Sequence, residues 1–206
     1  MKITEIYLKY ELPPHLADHQ LTVAAVGHNI CKSTKKADAE EVVTACLLHD
    51  MGNIIKFKFD KQIPGLELDN LKYWREVQQR FIDAYGLDEH RATMIIAKEI
   101  GINPRIMSII DAIGFTHSDK ALVSTDNSMI IAAYSDMRVA PVGVVSLEER
   151  LGDLTQRYGY LPDREQCTEA LRKMEKLIFT NCDCKPADVT PSSVSRTKSK
   201  LASFEI

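Results

Sequence analysis

Apolar residues recur along this chain at helical spacing, and nowhere over any length with the alternation of a strand. Between residues 15 and 32, Leu16, Val23, Val26 and Ile30 fall on one helical face. A second run, 38–58, opens on the acidic turn Asp38-Ala39-Glu40-Glu41 and continues apolar from Val42 to Phe57, as expected where acids favour a helix N-terminus. Further helices are predicted over 69–85, 88–100, 103–117, 125–139, 146–158 and 163–180. Gly86, Gly101 and Asn103-Pro104 supply breaks, and Pro64-Gly65 a loop. The short stretch from Val142 to Val145 reads as a turn. The fold class is therefore all-α, a helical bundle. Residues 1–181 form one domain, and 182–206 a Ser/Thr-rich tail whose Val194-to-Phe204 stretch has the spacing of a short docking helix.

Composition narrows the class. The chain has 206 residues, 45% hydrophobic and 27% charged, which is ordinary for a globular domain. Its formal net charge of −3 is too mild for a chain that coats nucleic acid or a membrane surface, so a bound phosphate must be held by a few placed cations. No secretory leader is expected from the first residues, and no run of about 18 apolar residues suggests a membrane span. The five cysteines lack the spacing of a disulfide framework. Cys31 and Cys46 lie in apolar stripes, and a reduced cytoplasmic protein is expected.

Chemistry enters through polar residues on apolar faces. At about 100° per residue, His19 shares a stripe with Val23, Val26 and Ile30, whereas His28 points the other way. His49 lies with Val42, Ala45 and Cys46, and Asp50 one residue round. His90 opens a stripe containing Met94 and Ala97, and His117 ends one of Ile106, Ile110 and Ile113. Asp136 closes the apolar stretch from Met129 to Ser135. One such histidine is ordinary core material. Four histidines and two aspartates buried without partners would cost several kcal/mol, and a divalent cation removes that cost. Mixed imidazole and carboxylate donors suit Zn, Fe, Mn, Co or Ni, and the set does not discriminate these from Mg.

The run Leu47-Leu48-His49-Asp50-Met51-Gly52-Asn53, with His19 upstream and Asp136 downstream, resembles the H…HD…D signature of the HD superfamily of metal-dependent phosphohydrolases over roughly residues 15–160. The resemblance implies an HD-domain helical bundle in which His19, His49, Asp50 and Asp136 hold one metal. It further implies that Asp50 can bridge to a second metal held by His90 and His117, as in two-metal members such as the HD-GYP phosphodiesterases. Asp50, His90, His117 and Arg138 are then the catalytic candidates. A metal-activated water attacks phosphorus, and Arg138, with Lys56 second, neutralises phosphate charge. The expected substrate is a nucleotide or similar small phosphorylated metabolite. Two departures stand out: Asn53 occupies a place where many relatives have lysine, and no Gly-Tyr-Pro follows.

Other residues read as ordinary structure. His15, one turn before His19, marks a helix start or a pocket wall. Glu148, Glu149, Arg150 and Arg157 form a charged helix face. Cys182 and Cys184 lack further ligands for a zinc site, and Tyr73-Trp74 reads as core or as a base-stacking pair. The segments 56–75 and 117–127 are the expected pocket lining. Two alternatives to hydrolysis are a di-iron oxygenase on a similar ligand set, and a non-catalytic module held together by a metal or nucleotide.

Overall fold

Helix α2 (Pro14–Thr34) starts where Pro14 fits the first helical turn and stops at Lys35, whose left-handed backbone (φ 53°) turns the chain away. Its middle, Val23 to Gly27 with Ile30 and Cys31, is buried, because other helices cover it on several sides. Helix α3 (Ala39–Leu48) is capped by Asp38, which accepts from the Glu40 and Glu41 N–H groups. Helix α8 (Asn127–Asp136) is capped the same way by Asp126. Every residue from Val42 to Leu48 and from Ile130 to Asp136 is buried, so these two helices with α2 make the centre of the bundle. Arg105 ties two of the starts together, bonding both Glu41 and the cap Asp126.

The computed structural model describes residues 1–59, 70–159, 163–180 and 182–206. The expected Pro64-Gly65 loop lies outside the described residues, as does residue 69, the expected start of a helix. The remaining helices are α1 (Ile3–Lys9), α4 (Leu71–Tyr85), α5 (Glu89–Ile100), α6 (Pro104–Ile110), α7 (Ser118–Val123), α9 (Leu147–Tyr158), α10 (Arg164–Thr180) and α11 (Pro191–Leu201). A two-residue ribbon pairs β1 (Val139–Ala140) with β2 (Gly143–Val144) antiparallel, Val139 opposite Val144. The fold is all-α, and among the described residues the exception is this ribbon, which forms where a plain turn was expected. Among the described residues no helix is long and apolar enough to cross a membrane.

Two glycines set how closely the central elements meet. A Cβ on Gly27 of α2 would stand 2.8 Å from Val42 Cγ1 of α3 and 3.3 Å from Ser135 Oγ of α8. A Cβ on Gly52 would overlap the Glu89 carbonyl oxygen and come within 2.8 Å of Ala92 Cβ, so the turn after α3 lies directly on α5.

The helix expected over 103–117 is broken. α6 ends at Ile110, Gly114 follows at φ 126°, and Phe115–His117 form a separate 3-10 turn. The helix expected over 38–58 stops at Leu48 and resumes as a 3-10 turn at Asn53–Lys56. The segment after Cys182 is continuous with the core: Val189, Val194 and Leu201 are buried, and α11 packs on α2. Asn29 Nδ2 donates to the Ser193 carbonyl at 2.9 Å, and Thr197 Oγ1 donates to Asn29 Oδ1 at 2.9 Å.

Candidate metal centre

Three polar groups reach one point from three helices. His19 projects from the first third of α2, His49 follows the last residue of α3 with its backbone still helical, and Asp136 is the last residue of α8. Two helix C-termini, each carrying partial negative charge, thus deliver a ligand to the same place. His19 Nε2 lies 3.1 Å and His49 Nε2 3.4 Å from Asp136 Oδ1. One donor atom from each of the three residues lies within 4.8 Å of the others. Asp50 Oδ2 is 3.8 Å from His19 Nε2 and 3.7 Å from His49 Nε2.

These separations fit a cation. Donors about 2.0–2.2 Å from one ion stand about 3.0–3.5 Å apart in tetrahedral or octahedral geometry, the spacing of the two imidazoles from Asp136. The tautomer of His49 agrees. Its Nδ1 donates to the Cys46 carbonyl at 2.8 Å, which leaves the Nε2 lone pair aimed at a carboxylate oxygen. That buried Nε2 has no hydrogen-bond partner among the described residues. In the neutral ring, lone pair against carboxylate is repulsive unless a positive charge sits between them, and without a metal cation a proton on Nε2 takes that place. Burial opposes charge on His49, yet Asp50 and Asp136 outweigh it and push the imidazole pKa up to about 9. Burial likewise opposes ionisation of Asp136, but His19 and His49 hold its carboxyl well below the usual range.

Residues behind the ligands fix their direction. Gln20 is fully buried; its Oε1 accepts the Asp50 N–H at 3.1 Å and its Nε2 lies 3.9 Å from Met51 Sδ. The Gly52 N–H donates to Thr93 Oγ1 at 2.9 Å. Tyr7 of α1 donates to the Leu47 carbonyl at 2.7 Å, just ahead of His49.

Residues 16–116 match the family model of the HD domain. The chain carries an HD domain. No curated protein and no solved structure matched in the corresponding comparisons. The matched segment of the HD domain holds His19, His49, Asp50 and His90, whereas His117 and Asp136 lie beyond it. Asp136 joins the others through the fold alone.

The other sequence candidates lie differently. His90 Nε2 is 2.9 Å from Asp111 Oδ1, the His90 and His117 rings meet edge to face at 4.7 Å, and Lys120 pairs with the second Asp111 oxygen. The hydrogen bond from His90 and the pairing with Lys120 lower the Asp111 pKa, while burial and the nearby His90 lower that of His117. His90 and His117 thus form a second polar group with Asp111 and Lys120, apart from the set of His19, His49 and Asp136. His90 follows Glu89, whose carbonyl touches Gly52, so the two groups adjoin through α5.

Arg138 corrects an expectation. It is 3% exposed, and its guanidinium donates to the Val145, Pro186 and Val189 carbonyls and to Tyr134 Oη. With its donors committed to the ribbon and the C-terminal segment, it is a packing residue and holds no phosphate. Lys56 is exposed and pairs with Glu89 at 3.5 Å. Asn53 is buried.

Sequence reasoning passed over Gln20, Thr93, Asp111 and Lys120. Gln20 carried a signal: with Leu16, Val23, Ala24 and Gly27 at helical intervals on both sides, it is a polar residue on a buried stripe. His15 stacks on Phe57 at 5.2 Å, and its buried Nδ1 has no partner among the described residues. Burial, aided by His19, lowers its pKa to about 4.

Proposed function

We propose that this HD protein is a metal-dependent phosphohydrolase acting on a nucleotide or similar small phosphorylated metabolite, with His19, His49, Asp50 and Asp136 holding the cation. The observation that carries the reading is the pair of imidazole Nε2 atoms at 3.1 and 3.4 Å from one carboxylate oxygen, one of them otherwise without a partner. A divalent cation supplies Lewis acidity there, lowering the pKa of water and offsetting charge on phosphoryl oxygens.

The chain's own residues do the rest. Cys46 and Gln20 hold His49 and Asp50 in place, so the donors are set before a cation arrives. In this reading His90, bonded through Nε2 to Asp111, would carry a proton, and Lys120 and Lys56, paired with Asp111 and Glu89, would supply positive charge. His15, Phe57 and Phe59 are half-buried, with the Phe57 and Phe59 rings at 6.4 Å. They form an aromatic ledge one turn from His19, which favours a substrate with a planar base.

The test is metal content by elemental analysis on purified protein, followed by release of inorganic phosphate from nucleotides and generic phosphate esters with Mn, Co, Ni or Mg added. Turnover that disappears in His49→Ala and in Asp50→Ala supports the reading. Bound iron with substrate oxidation and no phosphate release, or a bound cation with no turnover, overturns it.

A further inference from the structure

Cys182 and Cys184 stand apart from the other three thiols. Cys31, Cys46 and Cys167 are buried at 3%, 0% and 3% exposure. Cys182 and Cys184 are half-exposed, and their sulfurs lie 3.0 Å apart, closer than two sulfurs rest without a shared hydrogen or a bond. They occupy the strap that leads from α10 to α11 across the end of α2. The Asp183 N–H donates to the Ser33 carbonyl at 3.3 Å and anchors the residue between them. That anchor turns both side chains to one side of the strap, so neither must move far to meet the other.

We propose that Cys182 and Cys184 are a reversible dithiol–disulfide pair, oxidised by exchange with a low-molecular-weight disulfide. In the first step the thiolate of Cys182 attacks one sulfur of the small disulfide. The external S–S bond breaks, and one small thiol leaves and takes a proton. In the second step Cys184 gives up its proton and attacks the Cys182 sulfur of the mixed disulfide, releasing the second small thiol. Two protein thiols are oxidised and one external disulfide is reduced to two thiols. The thiolate is the nucleophile, and Cys184, whose thiol burial and its neighbour push up to about 11, is assigned as the resolving thiol.

The ring that closes encloses a single intervening residue. Such a short loop removes little entropy from the unfolded chain, and a tight ring is strained and readily reduced. The bond therefore acts as a labile mark on the strap rather than as a fold-stabilising staple. No donors beyond these two sulfurs complete a metal set at this place among the described residues, which favours sulfur–sulfur chemistry over a bound zinc.

The experiment equilibrates the whole protein across graded ratios of oxidised to reduced glutathione, quenches with an alkylating agent and reads the peptide carrying both cysteines by mass spectrometry. The expected result is loss of two hydrogens from that peptide at the oxidising end, full recovery with dithiothreitol, and unchanged native-state protection of Cys31, Cys46 and Cys167. Cys182→Ser and Cys184→Ser should each fail to close the ring and carry one glutathione instead. Two glutathiones on the wild-type peptide, or thiols that stay reduced even at the most oxidising glutathione ratio, overturn the proposal.

Discussion

Single side chains decide what this site can hold, and His49 shows the sign of the effect. Its pKa is raised from 6.5 to about 9 in the fold, so protonation favours folding. The contribution is complete below about pH 6.5 and lost as pH rises through about 9. Asp136 runs the other way: its pKa is lowered, so its contribution is present above the usual carboxylate range and lost as pH falls through the depressed value. Chelator-treated protein should therefore lose stability between about pH 6.5 and 9, and His49→Gln should flatten that slope in denaturant titrations. The same proton competes with a cation, so metal affinity should rise over that interval. Gln20 offers a second check. Gln20→Ala leaves the Asp50 N–H without its acceptor and should weaken metal binding about 10- to 100-fold by calorimetric titration, with Gln20→Glu recovering part of the loss. The convergence of His19, His49 and Asp136 was legible because each interrupts or ends an apolar stripe, whereas Asp50, one residue round, was singled out through its pairing with His49. Arg138 was misread because proximity in sequence to Asp136 says nothing about where a long side chain turns, and three backbone carbonyls claimed it.

Helices and turns bring these residues together by close backbone approach. Gly52 lies where the turn after α3 touches α5, and Gly52→Ala must displace either Asp50 or Glu89. Destabilisation by about 1–3 kcal/mol or more is expected from such overpacking, together with weakened metal binding, since the turn itself moves. Thermal melts and metal titration of the variant check both. Apolar periodicity gave α2 and α8 to within a few residues because their buried faces are continuous, whereas the helix expected over 38–58 ends already at Leu48. It failed where the helix stopped for a local reason. Ile106, Ile110 and Ile113 continue one stripe past the point where α6 ends, and only the positive φ of Gly114 reveals the break. α1 was missed for another reason: at seven residues it is too short to hold without tertiary contact, and it forms because Ile3, Ile6 and Tyr7 bury against the bundle.

Across the whole molecule, the C-terminal segment is a structural part of the core. Arg138 ties α8 to the ribbon and to the backbone at Pro186 and Val189, and Lys2 bridges to Glu205. Arg138→Met would leave three carbonyls without a donor and should cost about 3–5 kcal/mol, read by chemical denaturation. Whatever remains folded should still take up metal if Arg138 serves packing alone; loss of metal uptake by folded protein would return it to the site. The two ends of the proposed ligand set, His19 and Asp136, are 117 positions apart in the chain. No local stretch can chelate on its own, so occupancy reports on completion of the entire tertiary structure. At about 100 times its dissociation constant a cation should add about 2.7 kcal/mol to global unfolding. Amide hydrogen exchange should consequently slow throughout α2, α3 and α8 together, including amides far from the four donors, and not only around residues 49–52.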